Sequence, residues 1–172
     1  GSGVEIAVAH ADGSRTTLRL FANQPFVHLH TAVHNAGEEP VARSSLDVVD
    51  MSIRVGDQPL MSFGTGGLVE PADRQGSYSF QAYVNGETRN GLVSAWLTHE
   101  RGVGILFPGP ADANAPTYPL KARIDAGRFQ VNPGETRDTD TLLIGFFEDA
   151  RLGLEAYADA VAMQCRIKLR PR

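Results

Sequence analysis

The sequence predicts an all-β antiparallel sandwich followed by one carboxyl-terminal helix. Three observations carry this: apolar and polar residues alternate through most of the chain, clusters of Gly, Pro, Asn and Asp separate the alternating runs, and one stretch near the end has helical spacing. Ten runs rich in Val, Ile, Phe and Thr qualify as strands: 4–9, 16–21, 26–34, 41–55, 78–84, 92–99, 103–107, 117–124, 128–131 and 139–147. Between them, Asp12-Gly13 and Asn85-Gly86 supply residues that tolerate positive φ, and the turn beginning at His99 ends on Gly102, so neighbouring strands join as hairpins. Strands and amphipathic helices do not alternate, which argues against a parallel α/β sheet.

The helical stretch is 149–164, where Leu154, Tyr157, Ala158, Val161 and Cys165 form one apolar stripe. Such a helix either connects to a following domain or folds back over one sheet. Residues 62–76, with Gly64, Gly66, Gly67 and Pro71, form the longest stretch without a clear period, and long loops in compact domains often carry function. Residues 108–116 read as a surface excursion.

Composition narrows the function classes. At 172 residues, 42% apolar and 21% charged, the chain has the length and make-up of one folded domain. A net charge of −4 with scattered Lys and Arg gives phosphate no footprint, so neither nucleic acid nor a membrane surface is an expected partner. No apolar run approaches the roughly 18 residues of a bilayer span. Cys165 is the sole cysteine, which forbids an internal disulfide. Gly1, Ser2 and Gly3 look like a cloning remnant, and 166–172 reads as a linker.

His28, His30 and His34 share one face of a strand, the residue type and alternation from which zinc, iron or manganese sites are built. Glu38 and Glu39 follow, as in cupin metal sites, but the cupin's second histidine segment has no counterpart. The competing reading is a semi-polar strand face with imidazoles bonded to cross-strand neighbours. Neither a Gly-x-Ser-x-Gly elbow nor a base beside Cys165 is present, so Ser or Cys nucleophilic chemistry has no support. Asp47 and Asp50, set among apolar residues, are expected to form ion pairs with Arg43 and Arg54, with a substrate-facing acid as the alternative. The 64–67 glycines lack the Lys and helix of a phosphate loop.

Sugar recognition on a β-sandwich needs an exposed aromatic face beside polar side chains. The candidates are Trp96 and Tyr78, with Asp73 and Arg74 from the 62–76 loop. Because both faces of the Trp96 strand are apolar, a buried Trp96 is the alternative.

Several segments, in order, are similar to one family: 18–21 with Pro25 to His30, Asn35, Gly91 to Thr98, the turn from Asn132 to Thr136, the strand 139–147, and Leu154-Glu-Ala-Tyr157. The chain thereby resembles the amino-terminal supersandwich domain, galactose-mutarotase-like in fold, of α-galactosidase and raffinose-synthase-like glycoside hydrolases. The resemblance implies a supersandwich over 4–148, a connector helix over 149–165 and a (β/α)₈ barrel beyond 172 as its partner. It implies catalytic aspartates on that barrel, so no catalytic residue, metal or cofactor is expected in this chain. Where the family carries an aromatic-rich segment near its active site, this chain has Met61-Ser-Phe-Gly64 and the glycine-rich loop. The expected role is a non-catalytic support domain that shapes a substrate cleft and takes part in homo-oligomerisation. A free-standing carbohydrate-binding module and a cupin-like metalloenzyme are the alternatives.

Overall fold

The structure, a computed structural model, describes residues 3–167. Most of the expected linker at 166–172 lies outside the described residues. So do Gly1 and Ser2 of the expected cloning remnant, whereas Gly3 already belongs to the first strand.

Among the described residues thirteen strands run in the order β1 (Gly3–Ala9), β2 (Arg15–Phe21), β3 (Val27–His34), β4 (Val41–Ile53), β5 (Leu60–Gly64), β6 (Gly67–Val69), β7 (Ser77–Tyr78), β8 (Phe80–Asn85), β9 (Gly91–Trp96), β10 (Val103–Phe107), β11 (Tyr118–Val131), β12 (Thr136–Asp138) and β13 (Leu142–Phe147). A short 3₁₀ turn, Pro71–Asp73, precedes β7, and helix α1 (Ala150–Gln164) follows β13. A nine-stranded sheet has the order β1-β2-β3-β13-β9-β8-β5-β6, with β12 also on β3, and a four-stranded sheet has the order β4-β11-β10-β7. Every pairing is antiparallel. This is the expected all-β sandwich, with four local differences.

The aperiodic 62–76 loop contains the β5–β6 hairpin and is not structureless. Its period is hidden because β5 has Gly64 at its end and β6 is only three residues long. The two runs 117–124 and 128–131 are one strand, β11, interrupted in register between Asp125 and Phe129, where Gly127 takes φ 64°. The run 78–84 is broken by Ser79 at φ 65°, and 139–147 begins as a strand only at Leu142.

The sheets face each other through Leu29, Trp96 and Leu142 from the larger and Val49, Leu106, Leu120, Ala122 and Ile124 from the smaller. Burying each Leu or Ile there contributes about 1.5–3 kcal/mol, the main term holding the layers together. Two tyrosines tie the layers. The buried Tyr83 hydroxyl donates to Pro119 O at 2.6 Å, while Tyr118 Oη accepts from Leu60 N at 2.9 Å.

Helix α1 forms a third layer on the opposite face of the large sheet, over Phe26, Ala82, Val93, Leu97 and Leu143. Ala150 and Gly153 are buried there, and Leu154, Ala156, Tyr157, Ala160 and Val161 are partly buried beside them. Ala158 and Cys165, expected in the stripe, point to solvent. Gly153 permits the close approach, since a Cβ there would meet Phe147 Cδ2 at 2.5 Å. Tyr157 Oη donates to Trp96 O at 3.0 Å. The helix is thus docked along its length, whatever follows it.

Candidate functional site

Alternation on β3 turns Leu29 into the inter-sheet core and His28 and His30 onto the helix-side face. There, beside the carboxyl-terminal end of α1, lies a cavity of about 870 Å³. Arg19 from β2, Gln24 from the β2–β3 turn, His28, His30, Asp138 from β12 and Met163 from α1 line it.

Each polar group is held by a neighbour. His28 Nε2 meets Gln24 Oε1, an acceptor, so the imidazole donates from Nε2. Burial, with a further contribution from the Arg19 charge, pushes the His28 pKa down and favours the neutral ring. Phe21 packs edge-on against that ring, with centroids 5.0 Å apart. Arg19 Nε bonds Glu5 Oε2 at 2.8 Å, and His30 Nε2 lies 3.5 Å from Asp138 Oδ1. Guanidinium, imidazole, amide and carboxylate around an open cavity suit the hydroxyls of a polyol.

The three histidines do not converge. His34 Nδ1 is engaged by Thr136 Oγ1 at 2.9 Å, because β12 pairs with β3 at that position. On an extended strand the six residues from 28 to 34 span about 20 Å, far beyond what metal–nitrogen bonds of about 2.0–2.1 Å can bridge. No three His, Cys, Asp or Glu side chains among the described residues form a metal-binding group.

The expected sugar contacts separate into two kinds. Trp96 is fully buried between the sheets and offers no face for stacking. Arg74 is also buried: its Nε donates to Ser62 Oγ at 2.9 Å, and its remaining nitrogens donate to the carbonyl oxygens of Ser62, Thr65 and Gly67. That guanidinium is consumed in clamping the β5–β6 hairpin. Asp73 and Tyr78 are exposed, on the 3₁₀ turn and on β7, apart from the cavity. Asp47 and Asp50 pair across strands, not with Arg43 and Arg54: Arg123 Nε lies 2.7 Å from Asp47, and Lys121 Nζ lies 3.2 Å from Asp47 and 3.3 Å from Asp50. Arg54 pairs instead with Asp57.

Sequence reasoning missed Arg19, Gln24 and Asp138. They come from three elements joined only by the β2–β3 and β3–β12 pairings, and no local spacing announces them.

No known family profile matches the sequence, and neither does any curated protein. Solved structures do match in fold. An α-galactosidase of glycoside hydrolase family 36, AgaA from Geobacillus stearothermophilus in complex with stachyose, superposes with TM-score 0.62 and 15% identity over 98% of this chain and 26% of that one. AgaB from the same organism superposes with TM-score 0.62 and 15% identity over 97% of this chain and 26% of that one. A putative aldose 1-epimerase from Klebsiella pneumoniae superposes with TM-score 0.54 and 11% identity over 99% of this chain and 55% of that one. The fold is therefore the galactose-mutarotase-like sandwich found in these enzymes. The chain spans about a quarter of the length of the α-galactosidases and about half that of the epimerase.

Proposed function

We propose that this sandwich is a non-catalytic support domain of an α-galactosidase-like retaining glycoside hydrolase, packed against a (β/α)₈ barrel that carries the catalytic carboxylates. The observation that carries the reading is the coverage: 98% of this chain aligns with 26% of an α-galactosidase, as a module within a larger enzyme would. The side chains gathered at the cavity agree with it, since Arg19, His28, His30 and Asp138 each have a structural partner and none is a nucleophile set beside a base. The expected outcome is no turnover of nitrophenyl α-galactoside by residues 1–172. Turnover above buffer, abolished by no treatment that removes contaminants, overturns it.

The cavity favours a second reading, carbohydrate binding by the sandwich itself. Its His28 imidazole, its Gln24 amide and its His30–Asp138 pair present donors and acceptors of the kind that sugar hydroxyls use. Calorimetric titration with galactose, raffinose and stachyose separates the two: saturable binding lost in His28→Ala supports the module, and a flat titration supports pure scaffolding.

A further inference from the structure

Among the described residues the two sheets present five edge strands, and four are blunted. β6 and β12 are three residues long, β7 is two, and β4 is broken by register irregularities against β11 and carries Asp47 and Asp50. The fifth edge, β1, is long and regular. It runs seven residues in unbroken register with β2, contains no Pro or Lys, and exposes Val4, Ile6 and Val8 at 65%, 55% and 45%. These three share a face with Leu18 and Leu20 of β2, so the apolar inner face of the large sheet runs on past the small sheet and out to a free edge.

We propose that β1 pairs with β1 of a second copy of this chain, antiparallel about a two-fold axis at Ile6. The strand is self-complementary about that residue. With Ile6 opposite itself, Val4 faces Val8, Gly3 faces Ala9 and Glu5 faces Ala7, so all seven residues pair and Val4, Ile6 and Val8 meet one another on one face. The neighbouring two-fold register, centred on Glu5, sets two carboxylates against each other, as does parallel pairing. The register centred on Ala7 pairs only five residues. At Ile6 the two Glu5 carboxylates stand diagonally, each already neutralised by Arg15 at 3.3 Å and Arg19 at 2.8 Å on its own β2. The association joins two nine-stranded sheets into one, removes both free edges and makes the Val4–Ile6–Val8 row continuous.

Sedimentation velocity from micromolar to hundreds of micromolar chain tests this. The expected result is a shift from 18.5 kDa toward twice that mass. Ile6→Lys, which opposes two ammonium groups at the axis, abolishes the shift, while Leu68→Lys on the opposite edge leaves it. Mixing Ile6→Lys with Ile6→Glu restores it. Hydrogen exchange on the unaltered chain reads the same contact independently, with amides of residues 4–8 slowing as concentration rises. A chain that keeps its single mass throughout, a dimer that survives Ile6→Lys, or equal loss in Leu68→Lys overturns the proposal.

Discussion

Gly104 lies flat against the indole of Trp96: a Cβ at position 104 would stand 2.4 Å from Trp96 Cδ1. The small sheet can therefore approach the large one here only because β10 has no side chain at this point, and the indole fills the space instead. Gly104→Ala is expected to force the layers apart, at the 1–3 kcal/mol typical of overpacking, or roughly 2–9 °C in Tm for a domain of this size. Trp96 is the sole tryptophan, so its fluorescence reports the unfolding midpoint directly. An unchanged midpoint would mean that the contact relaxes freely.

Tyr83 joins the layers through its hydroxyl, donating to Pro119 O at 2.6 Å and accepting from Gly109 N at 3.0 Å. Burial pushes its pKa up to about 12. A phenol that is harder to ionise in the folded state stabilises it fully below the unfolded pKa of about 10, and that contribution is lost as pH rises from about 10 toward about 12. Tyr83→Phe is expected to cost about 1–2 kcal/mol at neutral pH, the cost of leaving the Gly109 N–H and Pro119 carbonyl without their partner. The variant should also show a shallower stability loss between pH 10 and 12, read by urea midpoints across that range.

How far the sequence reveals this depends on whether a residue's partner is local. The strands of β2, β3 and β10 are visible because alternation and turn residues act within a few positions. The β5–β6 hairpin is not, because its rigidity comes from Arg74, which reaches back to Ser62 and Gly67. Asp47 shows the same limit: its neighbours in sequence include Arg43 and Arg54, yet the register of β4 on β11 hands it Arg123 and Lys121. The histidine strand misleads in the opposite way. A shared face is correctly read, but along an extended strand sharing a face does not bring side chains to one point. The cavity lining needs three strands and a helix to meet, and pairing order is what the residues on any one of them cannot specify.

Arg74 should be irreplaceable by lysine. Its planar fork donates to one hydroxyl and three carbonyl oxygens of the hairpin, whereas an ammonium has three donors converging on a point. Arg74→Ala and Arg74→Lys are both expected to speed hydrogen exchange in β5 and β6, with a global cost of about 1–3 kcal/mol from the unpaired carbonyls. Exchange in β2 and β3 should be unaffected. Full protection of β5 in Arg74→Lys would show that charge, not the fork, holds the hairpin.

Asp149 controls how α1 begins and hence how the third layer stays docked. Its carboxylate bonds the Arg151 guanidinium, caps the helix by accepting from Arg151 N at 3.0 Å, and lies near Arg89, which together hold its pKa down to about 2. A carboxyl depressed in the folded state stabilises it above the unfolded pKa of about 3.9, and the contribution is lost as pH falls through about 2. Asp149→Asn keeps an acceptor at the cap but loses the charge, so its stability should vary less than that of the parent between pH 4.5 and pH 2. Asp149→Ala loses both and should be less stable than Asn at every pH. Helix content followed by circular dichroism against pH distinguishes the three chains. If Asn and Ala coincide, the cap contributes nothing and the ion pair alone anchors the helix.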